Sequence, residues 1–228
     1  MKLHRLIIGL CFAALLSACG GGGSDSTPAT GPVASTLSFP LKSAYSTLVA
    51  NGYTKRYDVS GSCNGLASEV TAPATGGQTF NGVSVPWSTA LTLSINVTTC
   101  ASITATINTY YDTDYTPLGF SSSGVYSVYL PPPSIPTSIM VGDTGTIGTA
   151  TNFTGSSSTG TREGQTVVSY VVEPDTASTA IVNLIFKTFD TSGNLKSTEQ
   201  DRYKISSTGA LAPVSKDTLT ATTHLILQ

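Results

Sequence analysis

The chain is predicted to be mainly β: a single antiparallel β domain, either a sandwich or a curved meander sheet, with one short N-terminal amphipathic helix. Three observations predict this. From Tyr53 onward the apolar positions recur every second residue, which is the period of a strand whose side chains alternate between two faces. Clusters of Gly, Pro, Asp, Asn and Ser cut that pattern into runs of strand length. Only the stretch between Leu37 and Gly52 carries a helical period.

In that stretch Ser38 is the expected cap and Pro40 suits the first turn. Leu41, Tyr45, Leu48 and Val49 share one face, and Gly52 stands where a left-handed residue would end the helix. A helix of about 11 residues follows from these signals. Tyr53–Ser60 then alternates, and Gln78–Val85 and Leu91–Val97 read as short β-branched strands. Ile103–Tyr111 places Ile103, Ala105, Ile107, Thr109 and Tyr111 on one face and Thr104, Thr106, Asn108 and Tyr110 on the other. Val125–Leu130 is a strand stopped by Pro131, Pro132 and Pro133. Gln165–Glu173 and Ala180–Phe189 are separated by the turn at Pro174 and Asp175. The strongest hairpin signal is Asp190–Asn194, before Leu195–Ser206. That last strand is polar on much of both faces and is expected at an edge or sheet end, where charge discourages stray pairing. A turn at Ser207–Ala210 and a final strand Thr218–Leu227 close the meander.

The first residues carry an address. Lys2 and Arg5 precede an apolar run, Leu6–Leu16, that is too short for a bilayer span of roughly 20 residues. Leu16, Ser17, Ala18 and Cys19 follow, then Gly20–Gly23. The Leu-Ser-Ala-Cys order resembles the lipobox of bacterial lipoproteins. The resemblance implies a signal peptide over 1–18, cleavage before Cys19, lipid on the Cys19 thiol and an acylated amine. Two or three acyl chains make a durable anchor where one holds only marginally. Gly20 after the lipid cysteine resembles the pattern of lipoproteins passed to the outer membrane. Residues 19–36, rich in Gly, Ser, Thr and Pro, read as a flexible tether, and 37–228 as the β domain.

Composition narrows the function classes. With the leader removed, 9 basic side chains stand against 13 acidic ones, a net charge of −4. The few Lys and Arg are scattered, so no stripe is present to meet phosphates and nucleic acid is excluded as a partner. Charged residues are 11% of the chain, against about 25% in a typical soluble protein. Cys11 leaves with the leader and Cys19 takes the lipid, so Cys63 and Cys100 remain to form a disulfide in an oxidising compartment.

No catalytic residue is assigned. Gly61-Ser62-Cys63-Asn64-Gly65 has the outline of a nucleophile elbow, but no helix follows it, and the one histidine after the leader is His224 near the C-terminus. Asp112 and Asp114 lie in a tyrosine-rich segment without the calcium-loop continuation, so no metal site and no cofactor are expected. Trp87, Tyr110, Tyr111 and Tyr115 are the candidate binding surface, weighed against simple packing within a sheet. The expectation is a lipid-anchored envelope protein, most simply at the outer membrane, presenting a non-catalytic β domain that acts structurally or binds a protein or glycan. Two alternatives stay open. One is a carboxylate-dependent hydrolase, or an inhibitor of one, acting on envelope polymers through Asp112, Asp114 or Glu173. The other is a carrier with an apolar cavity for lipid.

Overall fold

Strand-period sequence that fills more than about ten strands must curl or split if its apolar face is to stay dry. Here it curls until it closes. The computed structural model describes residues 31–98 and 100–228. Its elements are α1 (Leu41–Asn51), β1 (Tyr53–Gly61), β2 (Gly65–Thr71), β3 (Gln78–Phe80), β4 (Val83–Val85), β5 (Trp87–Val97), β6 (Ile103–Tyr111) and β7 (Pro117–Ser122). They continue with β8 (Val125–Tyr129), β9 (Thr144–Thr154), β10 (Arg162–Pro174), β11 (Thr179–Asp190), β12 (Leu195–Ser206), β13 (Leu211–Thr220) and β14 (His224–Leu227). Twelve of these strands form a closed antiparallel barrel in the order β1-β2-β5-β6-β7-β8-β9-β10-β11-β12-β13-β14, with β14 returning to β1, and β3 and β4 form a separate hairpin.

The expected β class therefore holds, but the sandwich or open sheet is corrected to a barrel. The closure is made by β14, which pairs Leu225 with Gly61 and Leu227 with Val59 on one side and with Thr218 and Lys216 on the other. Several elements also differ from expectation. Gln78–Val85 is a hairpin and not one strand, because Asn81 and Gly82 take positive φ and reverse the chain. Thr218–Leu227 is likewise broken, by a turn at 221–223 whose backbone is held by the Thr220 hydroxyl. Strands β2, β7 and β9 have no counterpart in the sequence reading. The Leu195–Ser206 strand is not an edge: it lies between β11 and β13 and pairs along nearly its whole length with both, each ladder carrying one register shift.

Helix α1 starts after Pro40, whose fixed φ needs no hydrogen of its own; Pro40 and not Ser38 occupies the cap, and no side chain caps it. Gly52, at φ +66°, ends the helix and donates its N–H to Leu48 O. A Cβ there would stand 2.3 Å from Thr71 O, so glycine lets the helix run directly into β1 beside β2. Leu41, Ala44 and Val49 are buried. Leu41 and Ala44 pack with Phe39, Ile139, Val172, Val182 and Ile205 across the barrel end where β10 stops and β11 begins. The segment after β8 joins that cap: Ile139 pairs with Phe39, and Ile135 and Val141 pack on the same cluster. The proline-rich stretch thus closes a barrel end. Val33 and Ser35, within the stretch that composition assigns to the tether, are already tied to Asp175 and Ala177.

The disulfide Cys63–Cys100 joins the β1–β2 turn to the β5–β6 connection at the other end, with Cα atoms 5.8 Å apart. On the outside, Phe80 of the small hairpin stacks on Tyr110 at 4.5 Å and Tyr126 at 5.0 Å. The outward faces elsewhere carry Arg56, Asp58, Lys187, Arg202 and Lys204.

Candidate functional site

Strand number sets the width of a barrel, and eight strands already leave room for side chains or one small ligand. Twelve strands leave more. Leu91, Leu93, Ile107, Phe120, Leu184 and Phe186 all face inward, yet none is fully buried. The surface they keep lines an internal cavity of about 480 Å³, floored by Tyr45, Leu48 and Val49 of α1. A smaller lobe of about 80 Å³ shares Tyr45, Tyr129, Leu184, Phe186 and Tyr203 with it and reaches Ile135 and Leu211 under the cap.

Two polar features interrupt this apolar wall. The first is a belt of neutral hydrogen bonds across four strands: Ser127 Oγ donates to Asn152 Oδ1 at 2.9 Å and Asn152 Nδ2 to Thr166 Oγ1 at 2.9 Å. Thr166 and Thr188 hydroxyls meet at 3.2 Å. Every member finds a partner within the belt, as buried polar groups require.

The second is charged. Lys216 of β13, 6% exposed, reaches Glu69 Oε2 on β2 at 3.3 Å, although β14 and β1 lie between those strands. Glu69 has no exposed surface and also accepts a hydrogen bond from the Tyr53 hydroxyl. The same ammonium donates to Asp201 Oδ2, and it stands 4.0 Å from Glu199 Oε1. Burial works against the charge of Lys216, but the carboxylates of Asp201, Glu69 and Glu199 more than reverse that and raise its pKa well above the ordinary lysine value. The ammonium is therefore locked on, and it staples the first strands of the barrel to the last.

Glu199 is different. It faces inward beside Asp201, but 43% of its side-chain surface is accessible, and that surface borders the cavity. The neighbouring Asp201 charge, then burial, push its carboxyl up to about 8, so at neutral pH it holds a proton. Tyr53 and Tyr57 beside the cluster are also pushed up, by burial and then by Glu69, and stay neutral.

The residues singled out from sequence are scattered by this architecture. Cys19 lies outside the described residues. Cys63 and Cys100 are joined, so Cys63 is no thiol nucleophile. Trp87 stacks on Tyr115 at 5.4 Å and 14° between planes, and Tyr111 leans on Tyr115 at 6.5 Å. Asp112 organises that corner: its Oδ1 accepts the N–H groups of Asp114 and Thr116, and Tyr115 between them takes a positive φ of 60°. Tyr111 is buried in the barrel with its hydroxyl on Thr89, whereas Tyr110 lies on the outer wall under Phe80. The four aromatics therefore face three environments. Asp114 pairs with Lys42 of the helix at 3.7 Å, and Glu173 is engaged by Asn183 and Arg202 on the outer wall. The cavity-facing residues Glu69, Glu199, Asp201 and Lys216 carried no sequence motif. Their one signal was parity, since Glu199 and Asp201 alternate in phase with Tyr203 and Ile205. Comparison with family models, with curated proteins and with solved structures finds no match.

Proposed function

We propose that the barrel is a non-catalytic binding module that takes a small, mostly apolar molecule into its interior, and that the chain holds this module at a bacterial envelope through lipid on Cys19. The cavity carries the reading. A volume of about 480 Å³, walled by Leu, Ile and Phe with a few convergent polar groups, has the size and make-up of a small-molecule site. The charged outer wall argues against a lipid-facing barrel and for a vessel in water. The membrane attachment rests on the Leu16-Ser17-Ala18-Cys19 order, and the outer membrane as destination on Gly20.

The test is saturable binding of N-phenyl-1-naphthylamine, an apolar dye that brightens out of water, to the purified protein. One dye per chain is expected. Leu91→Trp, which fills the lumen from the inward face of β5, should weaken binding about tenfold or more, a loss of at least ~1.4 kcal/mol. Thr104→Trp, on the exposed outer face of β6, should leave it unchanged. Non-saturable binding, or equal binding by both variants, would refute an internal site. For the anchor, Cys19→Ala should release the protein from membranes, and unchanged fractionation with no acyl mass on the wild type would sink that part.

A further inference from the structure

Charge inside a largely apolar cavity is selective, because an ion buried there is poorly solvated and must find a counter-charge. Among the described residues the cavity lining holds four carboxyl groups, from Glu69, Glu163, Glu199 and Asp201, and one basic group, Lys216. That lysine is already committed to Glu69 and to Asp201 Oδ2. Asp201 is 6% exposed, and its second oxygen, Oδ1, has no hydrogen-bond partner among the ionised and neutral donors around it. Glu199 stands alongside, its Oε1 4.0 Å from the same ammonium that Asp201 Oδ2 touches, so these two acids share a single cation. The space between these two carboxyls therefore calls for a positive charge.

We propose that the ligand of the cavity is a cationic amphiphile, an alkyl- or aryl-amine whose ammonium is taken up by the Glu199 and Asp201 carboxyls while its apolar body lies along Leu91, Leu93 and Phe186. The inference rests on the cavity reading above and gives that ligand its chemical class. An ammonium offers three donors, enough for Glu199, the orphaned Asp201 oxygen and one neighbour, and the Tyr53 and Tyr203 rings border the same cavity to favour a cation further. An anionic headgroup would meet three acids, two of them buried, around a single lysine already paired with them. A neutral headgroup would leave the Glu199 proton in place. The groups around Glu199 are Asp201 and Tyr203 on its own strand, Lys216 on β13, Glu69 on β2 and Tyr53 on β1; Lys55, opposite Glu69 in the ladder, sets its ammonium over the Tyr57 ring at 5.5 Å and is not part of the cavity lining. Of these, Lys216 holds its charge firmly and the tyrosines stay neutral, so the proton that changes hands is that of Glu199.

A protonated amine enters, Glu199 releases its proton to solvent, and a carboxylate–ammonium pair remains. Binding should therefore release close to one proton per amine at about pH 7, and amine affinity should rise as the pH approaches about 8.

The experiment is isothermal titration of the purified full chain with octylamine, octanol and octanoate, which share a tail, in two buffers of different ionisation enthalpy. Octylamine should bind about tenfold tighter than octanol, with octanoate weakest, and its proton release should appear as a buffer-dependent heat. In Glu199→Gln the amine should fall to the octanol level and the proton release vanish, with octanol unchanged. Octanoate binding as tightly as octylamine, or an amine indifferent to Glu199→Gln, overturns the cationic assignment while octanol binding leaves the cavity reading standing. Failure of all three ligands and of the naphthylamine dye overturns the cavity reading itself.

Discussion

Replacing Lys216 by methionine keeps most of the side chain's volume and removes the one positive charge that the cavity's acids share. In the wild type that ammonium meets Glu69 at 3.3 Å, Asp201 in direct contact and Glu199 at 4.0 Å, with Glu69 wholly buried. Breaking a buried pair by deleting one partner costs about 3–5 kcal/mol, because the other charge stays behind without water. At about 2–4 °C per kcal/mol for a domain of this size, the melting temperature should fall by roughly 6–20 °C. The pH dependence identifies the cause. Without the ammonium, the carboxyls of Glu69 and Asp201 stay buried with no counter-charge, so the fold loses stability as rising pH forces negative charge into that site. The defect should then be larger at about pH 8.5 than at about pH 5, read by urea unfolding followed by circular dichroism. Adding Glu69→Leu and Asp201→Leu should recover most of the loss, since an apolar cluster needs no counter-charge. A defect below about 1 kcal/mol that is flat with pH would refute the reasoning and mean the cluster is hydrated.

Glu199→Gln tests the cavity acid through stability alone. A carboxyl raised to about 8 stabilises the fold below its unfolded value near 4.5 and loses that contribution as pH climbs between the two, so the wild type should weaken relative to the variant across this range. Parallel pH profiles would contradict it. Removing the disulfide with Cys63→Ser and Cys100→Ser opens a loop of 37 residues in sequence and should lower stability by roughly 4 kcal/mol on the chain-entropy account, checked by urea midpoints of the two forms. Gly52→Ala forces a side chain into a left-handed position 2.3 Å from Thr71 O, so it should destabilise by at least about 2 kcal/mol, whereas Gly193→Ala, at positive φ in an open turn, should cost about 1 kcal/mol.

Much of the wall could be read from the chain because local signals and tertiary position agree there. Ile103–Tyr111 alternates in sequence, and its inward set runs into the barrel while Tyr110 turns outward to Phe80. Helix α1 was equally legible, since Leu41, Val49 and Gly52 each do locally what the sequence suggests. Strand β9 was not, because Thr144, Gly145, Gly148 and Thr149 give no apolar period. It is held by its neighbours' ladders, and Gly145 and Gly148 make room for the Tyr170 ring and Pro133. Closure was beyond local reading for a different reason. It depends on three residue pairs between β14 and β1, a contact whose partners stand more than 160 residues apart in the chain.

Strand β12 shows why local sequence does not reveal the site. In a single open sheet, a strand with Lys196, Gln200 and Arg202 on one face and Glu199 and Asp201 on the other has no apolar side to bury, and an edge is where such a strand belongs. A wide barrel changes that inference, because its inner face need not be dry throughout. Thr198, Gln200, Arg202 and Lys204 meet solvent, while Glu199 and Asp201 meet a lumen in which the acid at the wall is answered by Lys216 from the next strand. The charge pattern that looked like a solvated ribbon is thus the sum of an outer surface and an inner site. Parity alone separates the two, and it becomes informative only once Tyr203 and Ile205, in phase with Glu199, are seen to point into the barrel.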